Sequence, residues 1–227
     1  KHLPHLLEPG RRPSRLLPPG TNGFPPLLYL HDGKTEGPSG TRLLLNSPLR
    51  FKHAAMNYEA RFGGIGRLYG RSGLDILRNS RMAVVGIGGV GSWAAEALAR
   101  SGVGAIILMD LDDLCITNTN RQIHALETTI GQSKTEAMVA RLRQINPEAE
   151  IISINSFYTA SNAEKLLETK PDVIIDAIDS LIPKAHLIAS CYRSKQPLVT
   201  CGGAGGRVNP AKIEIGDLSR TKGDPLL

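Results

Sequence analysis

Residues 81–100 read RMAVVGIGGVGSWAAEALAR. Met82–Val85 is a compact apolar strand that runs straight into glycines, and Ser92–Arg100 is a strong helix former with its apolar residues on one side. Between them, Gly86-Ile87-Gly88-Gly89-Val90-Gly91 satisfies GxGxxG in the strand–turn–helix setting that a phosphate-binding turn requires. Glycine allows the tight turn and the close approach of phosphates, while the helix N-terminus supplies unpaired amides. The same glycines could serve only to pack helix against sheet, but their context favours nucleotide binding.

Working outward, the alternation continues. Ala105–Met109 is a second buried strand ending at Asp110, nineteen residues after Gly91, where a carboxylate can bond a ribose hydroxyl. Lys134–Ile145 reads as a helix stopped by Asn146-Pro147. Strands come next at 151–154, 173–176 and 198–200, with a short helix at 162–168 and another at 183–193 that carries Pro183 near its first turn. Ile213-Glu214-Ile215 begins a further strand in this reading. Near-continuous apolar strands alternating with helices predict an α/β, Rossmann-like, mostly parallel sheet with helices on both faces.

On the other side of the turn, residues 57–79 form a helical lead-in broken at Gly63-Gly64, with Leu74, Ile76 and Leu77 as a short apolar face. Residues 1–50 hold nine of the fifteen prolines, and their leucine pairs lack periodicity. Such a stretch has little burial to offset its ordering entropy. The expected organisation is therefore a disordered or non-native extension at 1–55, with Met56 as a credible start. A helical lead-in spans 56–80, and the nucleotide-binding α/β domain spans 81–227.

Charge obeys the same division. Of the net +6, residues 1–55 contribute +5, so the folded part is nearly neutral and whole-chain charge does not argue for a nucleic-acid surface. Cys115, Cys191 and Cys201 form no CxxC pair, which argues against a structural zinc site and fits reduced thiols in a cytoplasmic setting. No apolar run reaches membrane-spanning length. Cys191 and Cys115 read as packing residues, whereas Cys201 opens the glycine-rich loop at a strand end. His124 could contact a ligand or pack in the interior.

The turn and Asp110 alone would suit a nicotinamide-dependent oxidoreductase, but such an enzyme has no evident use for Asn118, Arg121 and Lys134. An enzyme that adenylates a carboxylate does. Attack on an α-phosphate builds negative charge that fixed cations and donors stabilise, with a metal helping to hold pyrophosphate. Asp179, just past the fourth strand, could hold that metal at the C-terminal edge of the sheet.

GIGGVGSWAAEALARSG, DLDDLCITNTNRQIHAL, GQSKTE, DAIDS with PKAHLI, and PLVTCGGAGGRVNP occur in this order. In that series the chain resembles the ATP-dependent activating enzymes related to ubiquitin activation, and among them the branch acting on threonylcarbamoyladenosine in tRNA, over roughly residues 58–227. The resemblance implies ATP and magnesium as cofactors, a homodimer, and tRNA carrying threonylcarbamoyladenosine as partner, with a sulfur-relay protein as a further candidate. It makes Gly86, Gly88, Gly89 and Gly91 the ATP-cradling loop, Asp110 the ribose ligand, and Asn118, Arg121 and Lys134 the phosphate contacts. Asp179 becomes the magnesium ligand, and Arg67, with Arg61 as runner-up, the arginine that reaches the partner subunit's site. The resemblance also makes 56–80 a dimer-contacting segment and 81–227 an adenylation domain truncated at its C-terminus. The implied reaction adenylates the nucleoside carboxylate and then closes the ring with loss of AMP. Three rivals stand beside it: an adenylyltransferase for the Gly-Gly end of a small sulfur carrier, the oxidoreductase, and a non-catalytic nucleotide-binding scaffold. Relatives continue past residue 227 with a segment expected to complete the substrate side.

Overall fold

The computed structural model describes residues 58–227. The expectations for residues 1–55 and for a start at Met56 lie outside the described residues. Five strands, β1 (Arg81–Val85), β2 (Ala105–Asp110), β3 (Glu150–Asn155), β4 (Val173–Asp176) and β5 (Leu198–Thr200), form one sheet in the order β3-β2-β1-β4-β5. Every pairing is parallel, with Val85 opposite both Met109 and Asp176.

The strands are apolar on both faces because both faces are covered. Val84, Ile106 and Leu108 pack with Ala95 and Ala99 of α2 (Gly91–Arg100) and Met138 and Leu142 of α3 (Lys134–Ile145). Their neighbours along the strands, Ala83, Val85, Ile107 and Met109, point the other way. They meet Leu166 of α4 (Ala163–Glu168) and Leu187 and Cys191 of α5 (Leu181–Ser194). Cys191 is thus a core residue. Cys115 is not: it is exposed, and its neighbour Leu114 takes the buried position.

Two further local expectations fail. The lead-in helix α1 (Tyr58–Asn79) runs through Gly63-Gly64 and breaks instead at Gly70, whose φ of 79° and ψ of 168° are incompatible with a helix. A glycine pair costs a helix about 1 kcal/mol per residue, which tertiary contacts override. Here Tyr58 and Phe62 are buried on one side of the break and Leu74 on the other. Residues 213–215 make no strand. They lie between 3-10 turns at Pro210–Lys212 and Leu218–Arg220, and Ile213 and Ile215 are exposed.

Strand order decides where a ligand can sit. From β1 the chain steps outward to β2 and β3, then crosses back to β4 on the other side of β1. The connections leaving β1 and β4 therefore diverge, and a crevice opens at their C-terminal ends, the usual ligand position in such sheets.

Candidate active site

The glycine turn fills that crevice. Gly86 donates its N–H to the Met109 carbonyl at 2.9 Å and has a φ of 87°. A Cβ there would lie 2.8 Å from the Ala177 carbonyl oxygen in the chain leaving β4. A Cβ on Gly91 would sit 1.7 Å from the Gly86 oxygen, so the first turn of α2 closes on the strand end only without a side chain. Gly88 differs: a Cβ there meets nothing within 4 Å. Two glycines thus serve the packing, while Gly88 faces open space that a phosphate could enter.

Asp110 fixes the turn from β2. One carboxylate oxygen accepts the Ile87 N–H at 2.6 Å and the other the Asp112 N–H at 2.9 Å. Each oxygen keeps a second lone pair, so the residue can orient the turn and still accept from a ligand hydroxyl. Arg121 lies over the turn, with its Cδ 3.3 Å from where a Gly89 Cβ would be. Its guanidinium donates to the Thr117 carbonyl and the Asn120 side chain, both at 3.0 Å, and the exposed Trp93 indole donates to its carbonyl at 2.9 Å. Asn118 is buried at the end of a 3-10 turn (Ile116–Asn118), and its side-chain oxygen accepts the Cys115 N–H at 2.9 Å. Lys134 opens α3. Its Nζ is 2.7 Å from Asp112 Oδ2, and its backbone N–H donates to the Asp112 carbonyl.

Asp179 is exposed in the segment between β4 and α5 and has no cation partner among the described residues. No cluster of three His, Cys, Asp or Glu side chains suited to a metal occurs among the described residues. A lone carboxylate still fits magnesium, which keeps several waters and takes remaining ligands from substrate phosphates. Arg67 is not brought to the turn. The contacts that seat α1 join Tyr58 to the Gly102 carbonyl and Arg78 to Glu148, at the opposite edge of the sheet. Arg67 is exposed and has no hydrogen-bond partner among the described residues, whereas Arg61 donates to the Ile145 carbonyl at 3.2 Å.

One network was not legible from the residues alone. Asp176 and Lys184 are both fully buried and meet at 2.7 Å. Lys184 also donates to Thr200 Oγ1 at 3.2 Å and the Cys201 carbonyl at 2.9 Å, and Thr200 donates to Asp176 at 2.6 Å. The other Asp176 oxygen accepts the Ile178 N–H at 3.0 Å, which ties this core pair to the segment carrying Asp179. A lysine in the first turn of a helix opposes the helix dipole, and that conflict was the signal for a specific carboxylate partner. Cys201 lines this network, but burial pushes its thiol up, away from a nucleophilic thiolate. His124 is 1% exposed and neither ring nitrogen has a partner among the described residues. It packs rather than presenting itself to the crevice.

Comparison with known proteins agrees with this geometry. The model of the ThiF family matches residues 64–219. The chain is similar to the tRNA threonylcarbamoyladenosine dehydratase of Escherichia coli (strain K12), 54% identical over 169 residues that cover 74% of this chain and 63% of that protein. The Haemophilus influenzae dehydratase is 53% identical over 171 residues, covering 75% and 66%. A crystal structure of the E. coli dehydratase in complex with ATP superposes with a TM-score of 0.73, covering 74% of this chain and 69% of that one. This chain therefore spans slightly less than two thirds of the length of both curated relatives.

Proposed function

We propose, because the chain belongs to the ThiF family, that it is part of an enzyme that uses ATP to dehydrate threonylcarbamoyladenosine in tRNA. The observation that carries this reading is the convergence at one sheet edge of an open glycine turn, Arg121 packed upon it, and the Asp179 segment anchored beside it. A nicotinamide site would leave the last two without work.

The nucleoside carboxylate attacks the α-phosphate of ATP, forming a C–O–P link as the bond to pyrophosphate breaks. The carbamoyl group of the same nucleoside then attacks the activated acyl carbon, and AMP leaves. Water is thus lost from the nucleoside, driven by conversion of ATP to AMP and pyrophosphate. The amides of Gly88–Gly91 and the cations of Arg121 and Lys134 stabilise charge on the phosphates. Lys134 is held ready by Asp112, Asn118 adds a side-chain amide, and Asp110 accepts from the ribose while it braces the turn. Asp179 would hold magnesium, which when bound neutralises charge on the departing pyrophosphate. Ring closure within one nucleoside needs little beyond a fixed pose. Arg67, remote from its own turn, is assigned to the site of the second subunit of a homodimer.

The test uses the full-length natural protein with ATP, magnesium and tRNA carrying threonylcarbamoyladenosine, followed by digestion and mass measurement of the nucleoside. ATP-dependent loss of one water is the expected result. Asp179→Ala and Arg121→Ala should each lower the rate at least about a hundredfold with the fold intact. An unchanged nucleoside, with ATP bound, would refute the substrate, and wild-type turnover in either variant would refute that residue's role.

A further inference from the structure

At the far end of α2 from the glycine turn lies a groove of about 400 Å³, lined by Arg61, Phe62, Arg100, Arg141, Gln144 and Ile145. Two of these arginines, Arg100 and Arg141, are paired with Glu96, whose side chain is 5% exposed. Arg141 grips that carboxylate through Nε at 2.6 Å and a terminal nitrogen at 3.0 Å, and Arg100 does so through Nε at 2.8 Å and a terminal nitrogen at 2.7 Å. Burial alone would raise the Glu96 carboxyl, but hydrogen bonds from the two arginines outweigh it and hold the group below its usual value. The carboxylate is thus a buried anchor held between two guanidiniums.

The arginines are not used up. Each guanidinium has five N–H donors, and Glu96 accepts one hydrogen bond from Arg100 and two from Arg141. The Arg100 side chain is 61% exposed. Arg61 enters from α1, held by one bond to the Ile145 carbonyl. Three cations against one anion leave a local charge of +2. Residues 56–227 together carry only +1, so this concave spot departs from an otherwise balanced surface. Preorganised planar donors with spare N–H groups suit a phosphate oxygen fork.

We propose that this groove binds a backbone phosphate of the RNA substrate and so positions it for the chemistry at the other end of α2. The assignment rests on the tRNA reading of the active site. Ten residues of helix separate groove and turn, about 15 Å at 1.5 Å per residue, a short span beside a folded RNA. Phosphate contacts of this kind set register and affinity without reading sequence.

The experiment measures binding of fluorescently labelled tRNA to the full-length protein over a series of salt concentrations. Arg61→Ala and Arg100→Ala should each weaken binding roughly threefold to tenfold and reduce the slope of log K against log salt by about 0.7–0.9. Arg61→Lys should retain much of the slope, and in Arg100→Ala turnover at saturating tRNA and the affinity for ATP should stay at wild-type values. If the wild type converts the nucleoside while both alanine variants bind tRNA with unchanged affinity and slope, this proposal fails alone. If the wild type binds no tRNA, it fails together with the reading beneath it. If Arg61 governs binding of a polyglutamate peptide but not of tRNA, the groove takes acidic protein and the RNA assignment is overturned.

Discussion

His124 should make the domain acid-sensitive in a window that no carboxylate explains. The ring is buried beside the charges of Lys134 and Arg141, and burial first, then those cations, push its pKa from 6.5 down to about 4. In the folded protein the ring therefore stays neutral, whereas in the unfolded chain it takes up a proton below about pH 6.5. The unfolded state binds more protons as pH falls, so stability declines from near pH 6.5 toward pH 4. At roughly 1.36 kcal/mol per pKa unit, the full loss is on the order of 3 kcal/mol, and about 2 kcal/mol of it falls between pH 7.5 and pH 5.

Urea unfolding of the wild type and His124→Leu at pH 7.5, 6.5, 5.5 and 5 isolates this contribution. The buried carboxylate of Glu96 has its pKa held low, so its stabilisation is lost from the ordinary carboxylate pKa downward, almost wholly below the window. At pH 7.5 the variant should match or exceed the wild type, because it removes a buried ring whose nitrogens lack partners and replaces it with an apolar side chain of similar size. At pH 5 it should be more stable by about 2 kcal/mol. Parallel pH dependence in the two proteins would refute the reasoning. So would a large loss in the variant at pH 7.5, which would mean that the ring makes a polar contact the packing does not provide.

The crevice and its support lead to two further outcomes. Lys184→Met leaves Asp176 charged and buried without its cation, and should cost about 3–5 kcal/mol in thermal or urea unfolding, whereas pairing it with Asp176→Leu should recover most of that. A melting temperature within about 2 °C of wild type for the single variant would contradict this. Gly88→Ala and Gly91→Ala should separate binding from folding. The first meets nothing and should melt like wild type yet bind ATP at least about tenfold more weakly, while the second collides with the Gly86 carbonyl and should lose stability outright. Equal ATP affinity in Gly88→Ala and wild type would remove that residue from the cradle.

What the sequence disclosed is what local chemistry decides. Lys134–Ile145, Val173–Asp176 and Leu198–Thr200 carry the boundaries their apolar pattern and Asn146-Pro147 stop imply. The glycine turn was legible for the same reason, since spacing and flanking elements determine its backbone. The break in α1 was not, because Gly63, Gly64 and Gly70 are chemically identical and only the packing of Tyr58, Phe62 and Leu74 selects which one leaves the helix. The side chains of residues 213–215 suit a strand equally well, but a strand exists only through a neighbour, and none among the described residues pairs with them.

The site divides along the same line. Asp110 could be named from its distance after the turn, and Asn118, Arg121 and Lys134 from the ordered motifs that carry the resemblance. Their present bonds could not be, since Asp112, Thr117 and Cys115 become their partners only once β2 ends where it does. Asp176 and Lys184 were hidden because their value is relational: a strand end and a helix start cancel each other's charge, with Thr200 from the next strand completing the shell. That cancellation bears on chemistry as well as stability. With Asp176 neutralised and its second oxygen bonded to the Ile178 amide, the chain beyond β4 leaves the core at a fixed point. Asp179, three residues on, is the first carboxylate there without a cation of its own among the described residues. Under the proposed function, Asp179 is the acid left to meet a metal–phosphate complex, whereas Asp176 is spent on holding the wall.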